Sequence, residues 1–115
     1  MRGVKLVTAV IKPHMVQQVT DALHVIGVEG ITLSEVRGHG RQRGHTEVFR
    51  GAEYRVDFLP KMRLEIVVDD AKAEDEARTI ADAARSGKIG DGKIWITSVE
   101  RVIRIRTGEV DVEAI

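Results

Sequence analysis

The chain has 115 residues, enough for one domain with a single core and too few for a separate cofactor domain. Eighteen Lys and Arg balance eighteen Asp and Glu, which argues against a dedicated DNA- or RNA-binder and against disorder. Cysteine is absent, which removes disulfide scaffolds, thiol catalysis and cysteine-ligated metal, and makes a reducing compartment the natural reading.

The apolar runs are too short to cross a bilayer, and the amino terminus leads into a strand pattern, so a cytoplasmic protein without a signal peptide is expected. Lys5-Leu-Val-Thr-Ala-Val-Ile11 predicts a mostly buried strand. Lys12-Pro13 breaks it, and Pro13 suits a first helical turn, where its missing N–H leaves no bond unmade. Val16, Val19, Leu23 and Ile26 follow at spacings that make one helical stripe. Gly27 suits the left-handed residue that closes this helix. Residues 31–37 alternate Ile31, Leu33 and Glu35 against Thr32, Ser34 and Val36, a strand pattern.

Residues 38–60 interrupt the periodicity. These 23 positions hold four glycines, four arginines, two histidines and three of the four aromatics, Phe49, Tyr54 and Phe58. A loop of that length in a compact domain is usually functional or disordered. Residues 63–68 restore strand character, with Leu64, Ile66 and Val68 on one face. Asp69 and Asp70 can cap a helix that runs to about Ser86, acidic at its start and basic at its end, as the helix dipole favours. Ala73, Ala77, Ile80, Ala81 and Ala84 give it a small-residue face, and Gly87 is expected to end it. Residues 93–99 read as a fourth strand, and Glu100-Arg101 as a turn into a final strand over 102–106.

The order β-α-β, long loop, β-α-β predicts an α+β fold: a ferredoxin-like βαββαβ sandwich in a single domain spanning 1–115. Its sheet is mostly antiparallel and four-stranded, with both helices on one face and the long loop between strands 2 and 3. The uncovered sheet face is most simply met by a homo-oligomer.

Gly87-Lys-Ile-Gly-Asp-Gly-Lys93 nearly fits the Walker A spacing, but Ile94 stands where Ser or Thr must hold magnesium. The loop also follows a helix and enters a strand, the reverse of a P-loop. The local physics survives, because close glycines let backbone N–H groups approach an anion and Lys88 and Lys93 add charge. Taken alone, the segment is better read as a glycine turn between helix and strand. On a strand over 102–106, Arg104 and Arg106 share one face as a pair of anion clamps. Six basic and two acidic residues lie between 85 and 106, which favours a polyphosphate over a solvated face. Gly38-His-Gly-Arg-Gln-Arg-Gly44 is not the dinucleotide fingerprint, since its third glycine is one residue late and no helix follows. His14, His24, His39 and His45 form no metal pattern, and no Ser-His-Asp set can be placed.

Together, Gly38-His-Gly-Arg-Gln-Arg-Gly-His-Thr-Glu47, Arg50-Gly-Ala-Glu-Tyr54, Val56-Asp-Phe-Leu-Pro-Lys61, Gly87-Lys-Ile-Gly-Asp-Gly-Lys93 and Arg101-Val-Ile-Arg-Ile-Arg-Thr-Gly108 resemble the PII nitrogen-regulatory signal-transduction proteins. The resemblance runs in order over essentially the whole chain. It implies a homotrimer with nucleotide sites between subunits, competitive ATP and ADP binding, and 2-oxoglutarate bound beside Mg-ATP. It implies a sensor of nitrogen, carbon and energy status, not an enzyme, acting through a T-loop at 38–60. Beside that loop it sets a glycine-lysine loop at 85–93 and a C-terminal tail at 107–115.

Carried over residue by residue, the resemblance places phosphate contacts on Lys93, Arg104 and Arg106, with Gly90 and Gly92 giving backbone approach. Gly38, Gly40 and Arg41 form the other wall, and Thr32 and Val67 border the adenine. Gln42 ligates Mg2+ and thereby 2-oxoglutarate, whose distal carboxylate pairs with Lys61. Tyr54 falls on the tyrosine that many members modify by nucleotidylylation. Implied partners are an ammonium transporter, which would recruit the protein to the membrane, a nucleotidyltransferase or a metabolic enzyme, and no nucleic acid directly. His39 stands where the family usually has an aromatic, and Phe49 where it has tyrosine. Two other readings compete: a slow nucleotide hydrolase using the same basic site, and a purely structural trimer.

Overall fold

A computed structural model of the chain describes residues 3–39, 46–49, 52–55 and 58–115, the two short segments by their backbone alone. The elements are β1 (Val4–Ile11), α1 (Val16–Val25), β2 (Thr32–Gly38), β3 (Thr46–Phe49), β4 (Ala52–Arg55), β5 (Leu59–Asp69), α2 (Ala73–Ala84) and β6 (Gly92–Val99). Four strands form one sheet in the order β2-β5-β1-β6, every neighbouring pair antiparallel. With α1 and α2 this is the expected ferredoxin-like βαββαβ sandwich.

Strand alternation sorts the sheet into two faces. Val7, Ala9 and Ile11 of β1 and Leu64, Ile66 and Val68 of β5 point to the helix side, where they pack with Val19 and Leu23 of α1 and Ala73, Ala77, Ile80 and Ala84 of α2. Val7, Val19, Leu23, Leu64 and Ile80 are fully buried, each stabilising the fold by roughly 1.5–3 kcal/mol. The opposite face carries Leu6, Thr8, Val10, Glu65, Val67, Lys93 and Trp95, and α1 and α2 both lie on the other side of the sheet.

Both helix entries follow the local chemistry of their sequences. Pro13 opens a 3-10 turn, Pro13–Met15, that leads into α1. The N–H of Gly27 donates to His24 O and that of Val28 to Leu23 O, with Gly27 at φ +93, so the left-handed glycine closure of α1 is as expected. Ile26 lies past the helix end and is half exposed, so the buried part of the stripe is Val19 and Leu23. Asp69 accepts from the Ala71 N–H at 3.0 Å and starts a 3-10 turn, Asp70–Lys72, ahead of α2.

Three expectations need correction. The 102–106 segment is not a strand of the sheet: only an isolated bridge, Ile103 to Val110, forms, because the chain turns back on itself over 105–107. Gly87 does not end α2, which stops at Ala84 when Arg85 turns extended. Residues 38–60 are not all loop, since Arg37 pairs with Pro60 and Gly38 with Leu59, and β3 and β4 form a separate two-stranded sheet.

Candidate functional site

The loop between α2 and β6 is built around one carboxylate. Asp91 Oδ2 accepts from the N–H groups of Ser86 and Gly87, each at 2.8 Å. Its Oδ1 accepts from the Ser86 hydroxyl and from the Lys12 ammonium at 3.1 Å. Ser86 Oγ accepts in turn from Lys12 Nζ at 3.1 Å and from the Lys88 N–H at 3.2 Å. The Ser86 hydroxyl first, with the backbone N–H of Ser86, Lys12 and the Gly87 N–H, holds the Asp91 carboxyl far below the usual carboxylate range.

Two glycines complete the loop. Gly90 and Gly92 have φ of +95 and +102, a region that L side chains rarely adopt. A Cβ on Gly92 would lie 1.8 Å from Val10 O, so β6 can enter beside β1 only with glycine there. From β5, Lys61 reaches over and donates to Gly90 O at 2.7 Å. Burial first, then the Lys12 charge, pull the Lys61 ammonium below its ordinary value, and Asp91 partly restores it.

These contacts frame a cleft of about 480 Å³ whose walls include Gly38, His39, Lys61, Lys88, Gly90, Gly92 and Lys93. The structure therefore brings together five of the expected residues, Gly38, Lys61, Gly90, Gly92 and Lys93. Three ammonium groups and convergent backbone suit an anion. His39 packs its ring against Phe58 with centroids 5.8 Å apart, joining the exit of β2 to the approach of β5.

Thr32 and Val67 are elsewhere. They line a second cavity of about 810 Å³ with Glu65, Val102 and Ile115, and it shares no lining residue with the first. Arg104 and Arg106 are not paired clamps on a strand face. Arg104 donates to Ile115 O at 2.8 Å and faces Glu109 at 3.6 Å, while Arg106 is exposed in the turn. Gly40, Arg41 and Gln42 lie outside the described residues, and Tyr54 is described only by its backbone, paired with Glu47 in β4.

Sequence reasoning missed Asp91, Ser86 and Lys12. For the first two the signal was only compositional: Ser, Asp and two glycines between a helix and a strand mark a turn whose side chains can bond its backbone. Lys12 arrives from 74 positions away and left no local signal.

A family model described as Nitrogen regulatory protein P-II matches residues 4–109. The chain is 53% identical over 111 residues to the Nitrogen regulatory protein P-II of Azospirillum brasilense, covering 96% of this chain and 99% of that one. It is 50% identical over 111 residues to the Nitrogen regulatory protein GlnK of Escherichia coli K12, with the same coverage. A crystal structure of Arabidopsis thaliana PII bound to citrate superposes with a TM-score of 0.81 at 39% identity, covering 98% of this chain and 92% of that one. The sequence motifs, the sandwich fold and these matches agree: the chain belongs to the P-II nitrogen regulatory protein family.

Proposed function

We propose that this chain is a status sensor for nitrogen, carbon and energy. In this reading it binds ATP or ADP, takes 2-oxoglutarate in the presence of Mg-ATP, and regulates target proteins through residues 38–60. The observation that carries the reading is the meeting of Gly38, Lys61, Gly90, Gly92 and Lys93 in one cationic cleft at the foot of that segment. The citrate-bound neighbour, a family member holding a polycarboxylate, supports an anionic effector.

The described walls fit a polyphosphate. They offer Mg2+ no uncommitted carboxylate, since Asp91, the single acid among the described cleft residues, already accepts from four donors. The metal's protein ligand in this reading is Gln42, with phosphate and 2-oxoglutarate oxygens supplying the rest, as a hard cation prefers. A shared cation offsets the repulsion between two anions in one cleft. A hydrolase needs a group to position the attacking water, and the commitment of Asp91 favours the sensor. The family's regulatory names point the same way.

Thr32 and Val67 on one side, and Lys93 with Gly90 on the other, belong to separate cavities. That separation supports a nucleotide site completed between subunits of a homotrimer. The test is calorimetric titration of 2-oxoglutarate with Mg-ATP, with Mg-ADP, and with ATP in excess chelator. Binding is expected with Mg-ATP alone. Equal binding in all three arms would overturn the bridged-metal reading, and failure of ATP itself to bind would leave a structural oligomer.

A further inference from the structure

An acid in the wall of a cleft built for anions is electrostatically misplaced. Asp91 lines the same cleft as Lys61, Lys88 and Lys93. By charge alone, it weakens any anion bound there. Its hydrogen bonds show a different use. All four of its donors come from residues that shape the loop or brace it: Ser86 twice, Gly87 and Lys12. Ser86 extends the clasp by accepting from the Lys88 N–H. The backbone N–H groups of residues 86–88 are thereby turned inward and consumed. Gly87, at φ +82, and Gly90, at φ +95, would otherwise be the freest points of the loop.

We infer that Asp91, clasped by Ser86 and Lys12, is a positioning residue that holds the 85–92 backbone in its anion-receiving shape before the ligand arrives. The inference rests on the anion-site reading proposed above and deepens it. Lys12 contributes in a second way, because its ammonium is spent on Asp91 and Ser86 at 3.1 Å each. The clasp neutralises itself, leaving Lys61, Lys88 and Lys93 as the cations that face the ligand. Without the clasp, ligand binding has to order the loop, and that ordering cost appears as lost affinity.

Two substitutions separate positioning from charge. Asp91→Asn removes a negative charge from a cationic cleft, so charge alone predicts tighter ATP binding, whereas loss of the clasp predicts weaker binding, by roughly tenfold. Ser86→Ala changes no charge, so charge alone predicts no effect, whereas the clasp again predicts weaker binding. The experiment is calorimetric titration of the full chain and both variants with ATP. Amide hydrogen exchange at Gly87 and Lys88 is measured in the ligand-free proteins, with Val7 and Leu64 amides as the folding control. Expected are faster exchange at Gly87 and Lys88, unchanged exchange in the core, and weaker ATP binding in both variants. Should Asp91→Asn fail to fold, Ser86→Ala carries the test. Unchanged or tighter ATP binding in a folded variant overturns the positioning role, even if loop exchange quickens, and leaves the anion site standing. An ATP-blind parent protein overturns the anion site and the positioning role with it, while the exchange data still report whether the clasp exists.

Discussion

Glu76 sits where a core residue belongs. It lies on the row of α2 that also buries Ala73, Ala77 and Ile80, and it is 7% exposed. Its Oε2 is buried with no hydrogen-bond partner. Burial pushes its carboxyl above the ordinary value of 4.5; the Lys72 charge opposes this, and Asp75 adds to it less strongly. Replacing it by methionine keeps the length of the side chain and removes the orphaned oxygen. An unsatisfied buried polar group costs about 1–3 kcal/mol, so Glu76→Met should stabilise the protein by about that much at neutral pH. With a urea m-value of about 2 kcal/mol/M, the unfolding midpoint should rise by roughly 0.5–1.5 M.

The gain must depend on pH in one direction. The folded state holds the Glu76 proton to higher pH than the unfolded chain does. The stability that protonated Glu76 contributes is complete below the unfolded value near 4.5 and is lost as pH rises through the folded value. The methionine advantage should therefore be large at pH 7.5 and shrink towards pH 4.5. Urea melts of both proteins at equal protomer concentration measure it. A variant less stable than the parent at pH 7.5, or an advantage that grows on acidification, refutes the reasoning.

Other outcomes follow from the same geometry. Gly92→Ala should destabilise by more than about 1 kcal/mol, since its Cβ would meet Val10 O and its φ is +102; a thermal melt reads it. On the proposed reading, in which Arg104 meets a phosphate from a neighbouring subunit, Arg104→Ala should weaken ATP binding about tenfold to a hundredfold, read by calorimetry; an affinity within about twofold of the parent removes Arg104 from the site. Deleting residues 45–55 removes β3 and β4, a sheet separate from the main one, so oligomer mass and ATP affinity should persist while capture of the target protein is lost.

The sandwich was legible because its signals are local. A β-rich apolar run gave β1, alternation gave β2 and β5, Pro13 and Gly27 bracketed α1, and Asp69 announced α2. Residues 102–106 misled because Val-Ile-Arg-Ile-Arg has the strand alternation but bonds to the tail instead of the sheet, through the Ile103–Val110 bridge and the Asp111 N–H to Val102 O. The glycine loop was legible as a turn with charge, whereas its framework was not: Lys12, just past the end of β1, and Lys61, in β5, reach it from 74 and 29 positions away. The buried Glu76 was read as part of an acidic helix start, and only packing reveals that it faces inward.

The sheet register bears on how the site is completed. Lys93 lies level with Arg63, since both pair with Val10. Val67 is therefore two strand spacings and four residues from Lys93, roughly 16 Å across the open face. Between them stand Thr8, Glu65 and Trp95, with Thr8 donating to Glu65 at 3.4 Å. If the phosphate-side group of one copy faces the Thr32, Val67 and Arg104 group of another, defects in the two groups should complement. Lys93→Ala protein and Arg104→Ala protein should each bind ATP poorly. Unfolded together and refolded as mixed oligomers, they should regain binding, because some clefts then combine an intact half from each. A site contained within one chain predicts no recovery on mixing, and that result would remove the intersubunit cleft while leaving the anion site itself in place.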